Sequence, residues 1–178
     1  DQLAAAAYLC AAGKRTLVLE GHYVAGGNSQ VFRRKHKGQE YEFDVGIHYI
    51  GECGRDGVIT AVLNGLGLAE RVVFRPLDSD GYSTLHFPDV SFRVPFGWDR
   101  YRARLHQTFP TEKVALDAVL DVMQDVAGTS HRLGRGELAM ADIMTQAPTF
   151  LQQGLRPVTE LFAEHKLSKQ AGAVLLGE

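Results

Sequence analysis

Cysteine is scarce in this chain. Cys10 and Cys53 are the only two among 178 residues, with no CxxC and no His/Cys cluster at zinc spacing. That scarcity excludes a small disulfide scaffold and the usual structural zinc sites, and it fits a reducing compartment. Long apolar runs are missing too: none approaches the roughly 20 residues needed to span a bilayer. No basic segment followed by an apolar stretch opens the sequence, so a cytoplasmic location is expected rather than secretion. A cationic surplus is also lacking, with 19 Lys and Arg against 21 Asp and Glu and a formal net charge of −2. Nucleic acid is therefore not an expected partner. The motifs GxSxG and HExxH do not occur, and no P-loop lysine follows a glycine run. Asp78, Asp80 and Asp89 are too irregularly spaced for a calcium loop. What remains is a chain with 45% apolar and 9% aromatic residues, enough for the core of a folded domain.

The first chemistry lies near the start. Residues 2–13 are rich in Ala and Leu and end on Gly13, which reads as a helix with a glycine stop, and Lys14 and Arg15 suit its negative end. Residues 16–20 (TLVLE) follow as a short run, apolar on both faces, expected to form a buried parallel strand with Glu20 at its tip. Helix, glycine turn, strand and acid make up the second half of a βαβ unit. In dinucleotide-binding units an acid at this place holds the ribose hydroxyls; alone, it reads equally as a solvated acid. Gly26 and Gly27 then permit positive φ and bring backbone N–H groups close to an anion, or form an ordinary loop turn.

Residues 41–51 (YEFDVGIHYIG) alternate polar and apolar side chains, as in a strand that runs into a glycine-relieved bend. Gly46 leaves room for a flat ring near the backbone. His48 and Tyr49 read either as partners beside such a ring or as core packing.

Together the Ala-rich helix, GKRTLVLEGHYVAGGNSQVF and YEFDVGIHYIG resemble the FAD-dependent phytoene desaturase superfamily. Within it the chain is most similar to the retinol saturase and carotenoid isomerase branch, whose members carry an FDxGxHxIG stretch. The strong motif similarity covers about the first 55 residues, and a looser pattern continues to the end. The resemblance implies an α/β fold, an FAD-binding Rossmann-like domain over residues 1–70 and part of an α+β substrate domain over residues 71–178. It implies that Glu20 binds the adenosine ribose, that Gly26 and Gly27 contact the diphosphate and ribityl chain, and that Asp44, Gly46 and His48 run near the isoalloxazine. No side chain stands out there as a general acid or base, and His48 is the best candidate near the ring. The implied activity is flavin-dependent saturation, desaturation or isomerisation of a C–C bond in a hydrophobic polyene or isoprenoid, with NAD(P)H as a candidate electron donor.

Two departures bear on that reading. Gln2 stands where the family's glycine-rich loop ends in glycine, and Asn28 follows the glycine pair where amine-oxidase relatives carry arginine. The expectation is a piece truncated at both ends. The alternatives are an inactive binding or interaction module and a flavin amine oxidase.

The middle of the chain reads as architecture. A helix is expected over residues 58–63, and a hairpin over residues 82–87 and 91–94 turns at Pro88 and Asp89. Asp99 is expected to cap a helix reaching Phe109, and Thr111 one reaching Val126, with a loop over residues 129–136. Arg100, Arg102, Arg104 and His106 alternate, which reads as a solvated helix face. Residues 137–155 are mostly apolar, with Pro148 ending or kinking a helix near Ala147. Such a helix lines a lipid tunnel, rests peripherally on a membrane, or packs inside a larger protein. The oligomeric state is not legible.

Overall fold

The computed structural model describes residues 2–27, 29–46 and 49–177. Its chain divides into two compact units, residues 1–75 and residues 76–178.

The first unit opens with α1 (Gln2–Ala11). Gly13, at φ +74°, ends it in a Schellman turn: Gly13 N–H donates to Cys10 O and Lys14 N–H to Leu9 O, both at 2.9 Å. Tyr8 Oη donates to Val62 O at 3.0 Å and ties α1 to α2 (Val58–Gly65). Between the two helices stands a hairpin, β1 (Val31–His36) against β2 (Gln39–Asp44). Lys37 and Gly38, both at positive φ, make the two-residue type I′ turn that matches strand twist. Phe32 and Phe43 stack at 5.2 Å on one face, while Arg33 pairs with Glu42 at 2.7 Å on the other.

Residues 16–20 do not form the expected parallel strand. They carry no regular secondary structure, and Leu17 and Leu19 are 82% and 78% exposed. A strand exists only as part of a ladder, and no described segment runs beside this one. Both sheets are antiparallel pairs, so the chain is mixed α and β without a parallel strand among the described residues.

The second unit holds the core. Every buried apolar side chain among the described residues lies between Phe92 and Leu175. Strands β3 (Ser83–His86) and β4 (Ser91–Val94) form the expected hairpin and lay Phe92 and Val94 against the helices. Helix α3 (Trp98–Thr108) contributes Leu105, and α4 (Lys113–Gly134) contributes Leu116, Val119 and Leu120, all four fully buried. Two caps differ from expectation. Gly97 precedes α3, with Asp99 inside its first turn, and Glu112, not Thr111, precedes α4. Helix α4 also runs through the stretch expected as a loop, because Thr129 is buried and packing carries the helix past polar residues that disfavour it locally.

Beyond α4, Pro148 acts as expected. Helix α5 (Ile143–Gln146) stops before it and α6 (Pro148–Gln153) starts on it, so the ring sits where its missing N–H is harmless. Leu138, Ile143 and Ala147 make a small second cluster with Leu133 and Phe150. Helices α7 (Val158–Glu164) and α8 (Lys169–Leu175) close the main core. Ser168 Oγ caps α8 by accepting from Ala171 N–H at 3.1 Å, and Ser168 N–H donates to Glu112 Oε2 at 2.7 Å, which ties the start of α8 to that of α4.

Candidate functional site

The turn that follows residues 16–20 is built around one carboxylate. Glu20 Oε1 accepts from the backbone N–H of His22 at 2.9 Å. That bond, helped by the N–H groups of Gly26 and Gly21 and opposed by partial desolvation, holds the carboxyl below its usual range. Glu20 is therefore an ionised acceptor throughout the neutral range.

Gly26 and Gly27 sit against it at φ +109° and +55°. Ser29 N–H donates to Gly26 O at 2.9 Å and closes the turn. A Cβ on Gly26 would meet Ser29 O at 3.2 Å, and one on Gly27 would lie 4.0 Å from Glu20 Oε2. The surface beside the acid is thus bare backbone. Two successive residues at positive φ in a turn are the kind of segment that offers N–H groups to an anion.

Gln30 links this turn to the second predicted stretch. Its side chain meets His22 Nε2 at 3.1 Å, and its carbonyl accepts from Val45 N–H at 3.1 Å. Glu20, Gly26 and Gly27 are thereby brought into one loop, with Asp44 at the exposed end of β2 and Gly46 in the bend beyond. His48 lies outside the described residues. His22 and Gln30 are the residues that sequence reasoning missed. Their spacing from Glu20 and Gly27 carries no motif, and only the loop closure puts them together.

The second unit carries charge pairs and an apolar groove. Arg102 and His106 do not lie on a solvated face: Arg102 donates to Asp117 and Asp121 on α4, each at 2.6 Å, and His106 Nε2 lies 2.9 Å from Asp117 Oδ1. The two are one helical turn apart, so both reach the same carboxylate. The Arg102 guanidinium holds Asp117 below the usual carboxylate range, with His106 adding to the effect. Arg104 pairs with Asp80 at 2.6 Å. A groove of about 300 Å³ runs along α4 and α7, lined mainly by Val122, Met123, Val126, Pro157, Val158 and Leu161. Among the described residues no three His, Cys, Asp or Glu gather as a metal site, and no helix is long and apolar enough to cross a membrane.

Comparison with known proteins places this loop in a family. The profile of the flavin containing amine oxidoreductases matches residues 3–175. The chain belongs to that family. The match takes in the helical second half as well as the first 55 residues, where the motifs are strongest. Among curated members it is similar to the all-trans-retinol 13,14-reductase of Homo sapiens, 30% identical over 185 residues and 97% of this chain. It is also 32% identical over 127 residues to the Danio rerio protein of that name, and 35% over 135 residues to the Rattus norvegicus one, covering 70% and 74% of this chain. The chain spans only 20% to 30% of the length of these relatives. No solved structure matches it.

The loop fits the flavin nucleotide this family is named for. It offers an ionised carboxylate acceptor beside a turn without side chains, where backbone N–H groups suit an anion.

Proposed function

We propose that this chain is part of an FAD-dependent oxidoreductase acting on a carbon–carbon bond of a hydrophobic polyene or isoprenoid. The observation that carries the reading is the Glu20 carboxylate, held ionised by its own loop beside the bare Gly26–Gly27 turn, in a chain similar to proteins named for reduction of a retinol 13,14 bond.

In this reading residues 1–70 belong to a Rossmann-like FAD-binding domain and residues 71–178 to the substrate side. Glu20 accepts from the ribose hydroxyls, and its ionised form is the stronger acceptor. The side-chain-free Gly26–Gly27 turn lets the diphosphate approach the backbone, with the Gly26 N–H shared with Glu20, and Asp44 and Gly46 lie toward the ring. Bound FAD supplies two-electron exchange with the substrate carbon–carbon bond. The apolar groove along α4 and α7 offers a dry surface to an isoprenoid chain, as most ligand pockets do. NAD(P)H is the candidate electron donor, and contact with a membrane surface suits a substrate that dissolves there.

The test is flavin absorbance retained by the purified chain after incubation with FAD and desalting. Retained flavin that is bleached by a reductant and recoloured by a polyene supports the reading. Bleaching of the oxidised flavin by amines would instead move the chain to the amine-oxidising side of its family. A colourless chain would support the second reading, a scaffold without activity. What favours that one is that no apolar side chain in residues 2–75 is buried among those described.

A further inference from the structure

The hairpin β1–β2 sorts its charges by face. Its first strand and the turn carry Arg33, Arg34, Lys35, His36 and Lys37 in a row. Alternation sends Arg33 and Lys35 to one face, opposite Glu42 and Glu40 of the second strand. Arg33 meets both acids, at 2.7 and 3.7 Å, and Lys35 lies 4.0 Å from Glu40. Asp44 shares that face, so it holds every acid of the hairpin.

The opposite face is cationic and aromatic. It joins Phe32, Arg34 and His36 to Phe43, Tyr41 and Gln39 across the ladder. Phe32 and Phe43 stack at 5.2 Å, and the Arg34 guanidinium lies 4.9 Å over the Phe32 ring. Tyr41 and Phe43 are 40% and 48% exposed, and Arg34 and Lys37 are exposed with them. Lys37 adds its charge at the hairpin tip, and neither it nor Arg34 pairs with a carboxylate among the described residues. Exposed rings beside cations suit the boundary between water and lipid. Aromatic side chains settle at headgroup level, and Lys and Arg are drawn to anionic headgroups. A nucleic acid is the other polyanion for such a face, but bases bind by stacking on open rings. Phe32 already has a ring and a guanidinium against it. We propose that this face of the hairpin docks on a bilayer surface containing anionic phospholipid. It supplies the surface for the membrane contact proposed above. The test uses no FAD, so its failure leaves the flavin reading as it stands.

Co-flotation of the chain with lipid vesicles measures the docking. The chain should float with vesicles of three parts phosphatidylcholine to one part phosphatidylserine, and far less with phosphatidylcholine alone. Salt should release it, because the attraction reaches only about 10 Å at 0.1 M. Arg34→Gln combined with Lys37→Gln removes two charges from the docking face and should weaken binding about 25-fold, at about fivefold per charge. Arg33→Gln combined with Lys35→Gln removes the same charge from the other face and should weaken it by less than about threefold. Equal losses in the two double variants overturn the assignment, since net charge alone would then act. Equal binding to both kinds of vesicle overturns it too, as does no flotation, or tighter binding to a single-stranded oligonucleotide than to the mixed vesicles. Should the first double variant lose its circular dichroism, Tyr41→Trp takes its place. The added emission should move to the blue on the mixed vesicles, and an unmoved emission overturns the proposal.

Discussion

At the scale of single residues the site depends on keeping one proton off one carboxyl. Glu20 titrates below the usual range because His22 N–H, and after it Gly26 and Gly21, stabilise the charged form. Its folded value is depressed, so the ionised acceptor is present at neutral pH and is lost only as pH falls through that lowered value. FAD binding should therefore stay flat from pH 8 to pH 5 and weaken only below about pH 4, under the ordinary carboxylate value. Glu20→Gln, which keeps the size and loses the charge, should bind FAD about tenfold less tightly and lose the acid limb; titration by flavin fluorescence against pH measures both. The acid and the glycine pair stood out in the sequence as candidates, since each is a residue type tied to a backbone or charge requirement, and the structure places them in one loop. Gln30 and His22 did not, because neither type implies a place in the loop until the turn has closed.

Helices and strands show where local pattern suffices and where it fails. Pro148 and Gly13 act through their own dihedrals, so the breaks they impose were readable. Strand β1, with four consecutive basic residues from Arg33 to His36, has no strand signal of its own. It forms because Phe32 meets Phe43 and Arg33 meets Glu42 across a ladder whose register is set by the Lys37–Gly38 turn. The run of Arg102, Arg104 and His106 misled for a related reason: Arg102 and His106 meet Asp117 and Asp121 on another helix, and Arg104 meets Asp80 in the segment before β3. Asp117→Ala should cost about 1 kcal/mol and lower the melting temperature by roughly 2–4 °C. Asp117 is depressed by Arg102, so its contribution is present above about pH 4 and disappears as pH falls further; the parent and variant melting curves should converge in acid. Leu116→Ala, at a fully buried site of α4, should cost 2–5 kcal/mol at any pH, read by denaturant unfolding.

Over the whole molecule, order is uneven. The buried apolar side chains among the described residues fall between Phe92 and Leu175, while the Glu20 loop sits in a unit whose described apolar residues are half-buried or exposed. Protected amides should therefore concentrate in α3, α4 and α8, with residues 14–27 exchanging faster than these helices until FAD is added. Added FAD should slow residues 20–30 selectively, which mass spectrometry of peptic fragments would show. The exposed stretch at residues 16–20 also has a colloidal consequence. A β-prone segment that joins no ladder among the described residues, with exposed leucines at positions 17 and 19, is a template for strand addition between molecules. Solutions of this chain should scatter light increasingly with concentration and time. Leu17→Lys, a gatekeeper charge at the middle of that stretch, should raise the concentration at which turbidity begins while leaving the helical circular dichroism as it was.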